Sequence, residues 1–526
     1  MNTTALTKNE ILYSRRWLII VTIMMVAILE VLDTTIVNVA LPNMMSSLGA
    51  NQNQITWVLT SYVVASAIML PLTGFFSNRL GQKQLLLINI TWFMITSFLC
   101  GIAQSLPEIV FFRIFQGLFG ASLIPLSQSI LRETFPLEEQ GKAMAIWGIG
   151  IMAAPVFGPT LGGFITEHMN WRWIFYINMP ICLLGLMLTL FVIPSSERHY
   201  QRIDWGGLLL MITGVGALQV FLDKGNENDW LNSNLILALF ITAIFCLVFF
   251  IIRSLIHRYP VIKLKIFKDR NFRISCLALA LFAGSMFALI TLEPIMLERL
   301  FNYPAVTAGW TMAPLGIGGA VVMMFVPFLM KHLNIKIILT VGILCCFYGA
   351  ILFAGVNLNS TMQEFLINNT VLGFGMGFLM VPLTTYSLAT LPAKDITEAA
   401  GLYSYSRMLG TSIGISLLST LVSRTTQIHW HFLTTHINVF NTNFHNWFTF
   451  QKLPFMDPVG IARLGVQFQR QASMLGFLDG FRTIAIVFIL LLPLLLTLKT
   501  IKLQGSPAAP IDDPVIPAST GITEKI

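Results

Sequence analysis

Fourteen apolar stretches, each close to twenty residues long, constrain this chain more than any other feature. They lie near 17–37, 55–75, 85–104, 108–130, 143–165, 174–193, 205–222, 234–252, 273–293, 307–330, 337–356, 364–386, 400–422 and 482–501. A helix rises about 1.5 Å per residue, so about 20 apolar residues cross a hydrocarbon layer of roughly 30 Å. The composition agrees: 55% of the 526 residues are hydrophobic and 11% are charged, where a soluble domain carries about 25% charge. The first stretch follows Arg15 and Arg16 as a signal peptide would, but it is too long for a cleaved segment and carries acids, so it reads as a retained helix. Placing the amino terminus in the cytoplasm and alternating sides puts most of the 32 Lys and Arg in cytoplasmic loops, as the positive-inside rule requires. Both termini are then cytoplasmic. The net charge of +8 follows from this topology, and no soluble domain exists to carry a nucleic-acid reading.

The six cysteines all fall within apolar runs and behave as small buried hydrophobes, so no structural disulfide is expected. No CxxC, Walker A, HExxH or GxSxG pattern occurs, which leaves enzyme readings without residues. Two internal echoes set the architecture. GFFSNRLGQKQLLL at 74–87 resembles PFLMKHLNIKIIL at 327–339, and PLSQSILRETFP at 125–136 resembles PLTTYSLATLP at 382–392. The offsets, Leu80 to Leu333 and Pro125 to Pro382, are 253 and 257 residues. Near-equal offsets predict two homologous halves of six helices with two helices inserted between them, one signature of secondary transporters. The expected divisions are a cytoplasmic segment 1–16, an N-terminal bundle 17–193, inserted helices 194–271, a C-terminal bundle 272–501 and a flexible, proline-rich cytoplasmic tail 502–526.

Charges inside the apolar runs are the candidate functional residues. The stretch AILEVLDTTIVNVALPN at 27–43 holds Glu30 and Asp33. An ionised acid near the bilayer centre costs about 2.5 to 3.5 kcal/mol, so it persists where it faces a cavity, finds a partner or binds a proton. Residues three apart lie about 60° apart around a helix, so the two acids share a broad face that can point into a cavity. Close acids disfavour joint ionisation and burial disfavours charge further, as a proton carrier needs. The plainer alternative is that Asp33 braces neighbouring backbone. Arg113, Gln116 and Gly117 follow i, i+3, i+4 spacing along one face. The permanent cation either responds to a nearby acid or braces a carbonyl or acid between the first and fourth helices. Arg407, in the thirteenth run, is a second cation with no motif around it. Glu293, beside Pro294, is either a substrate or coupling acid or a solvated helix end, and Asp223 reads as an acid of a wet loop. With 25 Met and 12% aromatic residues, a cavity lined by this chain can repack around varied apolar ligands. The polar stretch 423–481 reads as an external element. Its His429, His431 and His436 lack an acidic or cysteine ligand at a familiar spacing, so no metal site is assigned.

Four motifs, together with WRWIFYINMP at 171–180, carry a family resemblance. They are LDTTIVNVALP at 32–42, GFFSNRLGQK at 74–83, RIFQGLFGA at 113–121 and APVFGPTLGG at 154–163. Through them the chain resembles the fourteen-helix drug:proton antiporter family of the major facilitator superfamily, most closely the EmrB-type inner-membrane subunits of tripartite multidrug efflux pumps. The resemblance covers residues 15 to 422 and, more loosely, the last helix. It implies an all-α integral membrane protein with the major facilitator fold, in a bacterial inner membrane, driven by a proton gradient with no cofactor. It implies proton coupling through Asp33 and Arg113, while Glu30 lies outside the motif and rests on its spacing beside Asp33; a gate at Gly74, Arg79, Gly81 and Lys83; a fourth-helix motif at Gln116 and Gly117; and an antiporter motif at Pro155, Gly158, Pro159, Gly162 and Gly163. Pro155 and Pro159 remove backbone donors, and Gly158 and Gly162 form a small-xxx-small face for close helix contact. A periplasmic membrane-fusion adaptor and an outer-membrane channel are the implied partners. The chain departs from the family pattern at Asn78, where the family has Asp, at Gln82, where it has a basic residue, and at Ala145 and Ala154, where glycine is usual.

The expected function is proton-coupled export of small lipophilic or amphipathic compounds by alternating access, with antibiotic resistance as its consequence. A dedicated exporter of a metabolite, siderophore or fatty acid is the alternative within transport, and a non-transporting receptor or scaffold the alternative outside it.

Overall fold

A hydrocarbon layer offers backbone groups no water, so a spanning chain satisfies them within helices. The structure, a computed structural model, describes residues 8–194, 204–392, 395–435, 442–451 and 454–499, and every regular element among them is helical. The first half comprises α1 (Lys8–Ser47), α2 (Gln52–Ile55), α3 (Trp57–Leu80), α4 (Gln82–Ile102), α5 (Leu106–Gly120), α6 (Leu123–Thr134), α7 (Leu137–His168), α8 (Trp173–Tyr176) and α9 (Asn178–Val192). The inserted pair is α10 (Trp205–Lys224) and α11 (Asn234–Ile256). The second half comprises α12 (Arg270–Phe301), α13 (Ala305–His332), α14 (Ile335–Ala354), α15 (Met362–Ala389), α16 (Ile396–Thr434), α17 (Thr442–Phe450) and α18 (Pro458–Leu496).

Among the described residues, twelve helices are long and apolar enough to cross a membrane, α5 with α6 and α8 with α9 each counting once. Two more long helices, α7 and α16 of 32 and 39 residues, fall where the fifth and thirteenth apolar runs were expected. Both line the seam between the halves. Gly141, Gly148 and Gly163 of α7 lie against Pro327, Met323 and Val306 of α13. At the other side of the seam, α3 and α6 pack on the first turns of α16.

The inserted pair does more than connect the halves. α10 wedges between α3 and α16 toward the opposite end of the seam. Lys224 Nζ donates to Thr56 Oγ1 and lies 5.6 Å from the Trp57 ring. On the other flank Gln219 Nε2 donates to Ser412 Oγ at 2.7 Å, and Ser416 Oγ donates to the Leu222 carbonyl at 2.6 Å. Asp223, expected in a wet loop, instead belongs to the last turn of α10, half-buried and accepting from Gln219 Nε2 at 3.0 Å.

The pair is tied at its other end by Asp204, the N-cap of α10, which accepts from the Gly207 amide and two-pronged from Arg253 of α11 at 2.7 and 2.8 Å. Burial pushes the Asp204 carboxyl up, but Arg253, the Gly207 amide and His257 outweigh it and hold it below its usual value of 3.8. A depressed folded-state value stabilises above the unfolded value and is lost as pH falls through the folded one. Asp204→Asn is therefore expected to lower stability by about 1 kcal/mol at neutral pH, since the guanidinium is partly solvent-screened. The deficit shrinks as the medium is acidified below pH 3.8, and melting of the detergent-solubilised protein across pH checks both points.

The stretch 423–481, expected as an external loop, is largely helix. α16 and α18 each run 39 residues, roughly 58 Å at 1.5 Å per residue and about twice the hydrocarbon thickness. Hydropathy registers only the portion in lipid, so the polar extensions had no apolar signal. α18 is anchored by Arg470, whose Nε donates to the Leu300 carbonyl at the end of α12, 2.9 Å away, and α17 packs Phe444 and Phe448 against Leu464 of α18. His429 pairs with Asp479 at 2.7 Å. His436 and the tail 502–526 lie outside the described residues.

Candidate functional site

Five helices of the first half converge on one buried polar cluster. α1 carries Asp33, α4 carries Ser97, α5 carries Arg113 and Gln116, α9 carries Asn178, and α3 contributes the Val58 carbonyl. Asp33 and Arg113 have fully buried side chains, with Nη1 2.5 Å from Oδ2. The other carboxylate oxygen accepts from Gln116 Nε2 at 2.9 Å and Asn178 Nδ2 at 2.8 Å. Ser97 Oγ accepts from Gln116 at 2.8 Å, and Arg113 also donates to Gln116 Oε1 at 2.9 Å and to the Val58 carbonyl at 3.1 Å. The Tyr62 ring lies 4.2 Å beneath the guanidinium. Charge pairing plus complete bonding of the carboxylate is what a buried ion pair needs to survive in a low dielectric. Gly117 makes the cluster possible, because a Cβ there would sit 2.4 Å from the Tyr62 carbonyl and hold α3 away from α5.

Glu30 and Asp33 therefore part company. Asp33 points into the first half at 1% exposure, whereas Glu30, one turn earlier, is half-buried at the seam. There it feels the charge of Arg407 on α16, in the other half, and that of Asp33. No hydrogen bond or ion pair joins Glu30 to Arg407 among the described residues.

At the end of the seam where α3 meets the first turns of α16, the loop motif 74–83 sorts into separate tasks. Gly81 occupies the turn between α3 and α4 with φ 88°, a conformation open to glycine. Gly74 brings α3 so close to α16 that a Cβ would sit 2.4 Å from the Glu398 Cα. Arg79 lies in the last turn of α3, and Lys83 Nζ donates to the Leu190 carbonyl at 2.8 Å near the end of α9, within its own half. The contact across the halves belongs to Gln82, the residue that replaces a basic one. Its Nε2 meets Ser129 Oγ at 3.2 Å, Glu133 Oε1 at 2.5 Å and Thr397 Oγ1 at 3.1 Å, and Ser129 and Thr397 are 2.6 Å apart. Lys263, in the linker after the inserted pair, ties that linker to the start of α16 through Asp395 at 2.9 Å and Glu398 at 3.3 Å. Burial alone would lower the Lys263 ammonium, but Glu398 and Asp395 outweigh it and hold it above its usual value. The halves are thus closed at this end.

Of the helix-5 motif, Gly158 and Gly162 face α1. A Cβ on Gly158 would fall 2.1 Å from Thr35 Oγ1, and one on Gly162 would fall 3.2 Å from the Ile36 carbonyl. Gly163 turns instead toward Val306 of the other half. The side chains of Pro155 and Pro159 lie outside the described residues. In the second half Glu293 is not a solvated end: it is fully buried and accepts from Asn369 Nδ2 at 2.6 Å.

Sequence reasoning found Asp33, Arg113 and Gln116 but not Ser97, Asn178, Asn369, Thr397 or Lys263. An Asn inside an apolar run was the available signal for Asn178 and Asn369. Thr397 and Lys263 sit in ordinary loop-edge sequence and gave none.

Comparison with known proteins agrees with this architecture. The chain is 36% identical over 419 residues, 78% of its length and 82% of the relative's, to the multidrug export protein EmrB of Haemophilus influenzae. It is 34% identical over 478 residues, 89% of its length and 92% of the relative's, to the fatty acid resistance protein FarB of Neisseria gonorrhoeae. The solved proton:xylose symporter XylE superposes with a TM-score of 0.62 at 15% identity, covering 93% of this chain and 97% of that one, which shows a shared fold. The family profile of the Major Facilitator Superfamily matches residues 23–415, three-quarters of the chain, so the protein belongs to that superfamily.

Proposed function

We propose that the chain is a multidrug exporter of the EmrB type, exchanging small lipophilic or amphipathic compounds for protons by alternating access. The observation that carries the coupling is the arrangement on α1: Glu30 half-buried at the seam under the field of Arg407, one turn from the buried Asp33–Arg113 pair. An acid at the seam exchanges protons with whichever side is open, and its charge decides whether the two halves attract through Arg407. The buried pair links that event to α3, α4, α5 and α9, which must move as a body when the halves rock. The inner latch of Gln82 and Ser129 on Thr397 breaks in the opposite state.

In this reading α7 and α16 complete fourteen crossings and both termini are cytoplasmic, which keeps the basic linkers on either side of the inserted pair α10 and α11 inside. The membrane is the bacterial inner membrane. The projecting ends of α16 and α18 face the periplasm, where an adaptor leading to an outer-membrane channel would dock.

A dedicated fatty-acid exporter is the second reading, favoured by the similarity to FarB and by Arg407, a seam cation able to take a carboxylate. Flux in proteoliposomes under an imposed pH gradient separates them. Multidrug export predicts gradient-driven movement of lipophilic cations and acids alike, while the dedicated reading predicts fatty acids alone, abolished by Arg407→Leu. A well-folded protein that moves neither class under any gradient removes both.

A further inference from the structure

The second half holds a buried acid laid out like the ion pair of the first half, with a neutral carboxamide where the first half has the cation. Residues of the two halves correspond at the repeat offset of 253 to 257: Val58 on α3 to Thr311 on α13 is 253 residues, and Arg113 on α5 to Asn369 on α15 is 256. Asp33 on α1 and Glu293 on α12, the first helices of their halves, are 260 apart. The bonds repeat along with the positions. Arg113 joins Asp33 to the Val58 carbonyl, and Asn369 Nδ2 joins Glu293 Oε1 at 2.6 Å to the Thr311 carbonyl at 2.9 Å. Duplication accounts for the shared plan, and the change from guanidinium to carboxamide replaces a permanent charge with a neutral donor and acceptor.

Glu293 is left fully buried without a counter-ion. On its own helix Glu298 and Arg299 are exposed. Arg470 of α18 is committed to the Leu300 carbonyl, and Glu364 of α15 to the Thr361 cap. Arg407 of α16 acts on Glu30, and Lys331 and His332 lie in the last turn of α13, at its far end. Among the described residues only Asn369 acts on Glu293. Glu293 Oε2 and Asn369 Oδ1 both lack a hydrogen-bond partner, although they belong to groups already joined by the 2.6 Å bond. Both atoms are acceptors while the acid is ionised; a proton on the carboxyl turns one into a donor. Pro294 follows directly and removes the amide that would bond the Ile290 carbonyl, loosening α12 at this turn.

We propose that Glu293 is a second proton-binding site, derived by duplication from the Asp33–Arg113 site and freed of its fixed charge, which loads and releases a proton as α12 moves against α13 and α15. Its place in a transport cycle rests on the exporter reading above; proton binding itself does not. The test is infrared difference spectroscopy of the full-length protein in lipid nanodiscs between acid and alkaline pH, with proton release on adding tetraphenylphosphonium as a second readout. The parent is expected to show a neutral-carboxyl band that is lost in Glu293→Gln, a variant that keeps the volume and donates to Asn369 Oδ1. It is also lost in Asn369→Arg, which rebuilds the charge pair of the first half. Proton release per bound cation is expected to fall by one in Glu293→Gln. A folded Glu293→Gln protein with an unchanged band and unchanged release overturns the proposal, as does a parent that exports under a pH gradient but has no such band. A band that vanishes in Glu293→Gln while the parent releases no protons and exports nothing leaves the proton site standing and removes the exporter reading.

Discussion

Asp33→Asn is expected to destabilise the protein by about 3–5 kcal/mol, the cost of leaving a buried guanidinium without its counter-ion. Arg113 keeps its bonds to Gln116 and the Val58 carbonyl, but these neutral acceptors do not balance a charge with no exposed surface. Arg113→Gln alone strands the carboxylate instead and costs a similar amount. The double variant Asp33→Asn/Arg113→Gln removes both charges together and is expected to recover most of the loss, because a buried pair offers little net stability over neutral residues that fill its space. Melting of the four proteins in a double-mutant cycle checks this, and an additive double variant would falsify the ion-pair account. Gradient-driven transport is expected to fail in all three variants, so transport measured on Asp33→Asn alone cannot separate proton coupling from damage to the cluster.

The same pair shows where sequence reading stops. Apolar runs were enough to place the twelve helices that are long and apolar enough to span, because lipid imposes helix length and polarity directly on sequence. The Asp33–Arg113 contact spans 80 positions, and nothing in the spacing of either residue states which way α1 is rotated. That rotation, set by Gly158 and Gly162 packing on Thr35 and Ile36, decides that Asp33 turns inward and Glu30 toward the seam. The helical extensions of α16 and α18 were unreadable for the opposite reason. Outside the bilayer a polar helix and a polar loop share a composition, and only tertiary anchors such as Arg470 on the Leu300 carbonyl distinguish them. Gln82 is the instructive departure: where a basic residue was expected, a neutral amide lies within bonding distance of Ser129, Glu133 and Thr397.

Glu30→Gln is expected to do the reverse of Asp33→Asn: leave the fold intact and remove the drive. Glu30 is half-buried and holds no hydrogen bond or ion pair among the described residues, so removing its charge leaves no bonded partner stranded and the melting temperature is expected to stay close to the parent's. Its effect lies in the cycle. A glutamine binds no proton at the seam, so the charge that draws α1 toward Arg407 no longer depends on which side is open, and the imposed gradient has nothing at this position to act on. Proteoliposomes carrying the variant are expected to exchange labelled substrate for unlabelled substrate at near-parental rate while accumulating none against a concentration gradient when a pH gradient is applied. Arg407→Gln keeps the acid and removes its partner across the seam; it is expected to retain proton movement but to lose the link between protonation and rocking, and so to leak protons without substrate. If Glu30→Gln still concentrates substrate under the gradient as the parent does, the seam acid is not the coupling residue, and coupling must pass through Asp33 or Glu293, each of which has its own signature in melting or in the carboxyl infrared band.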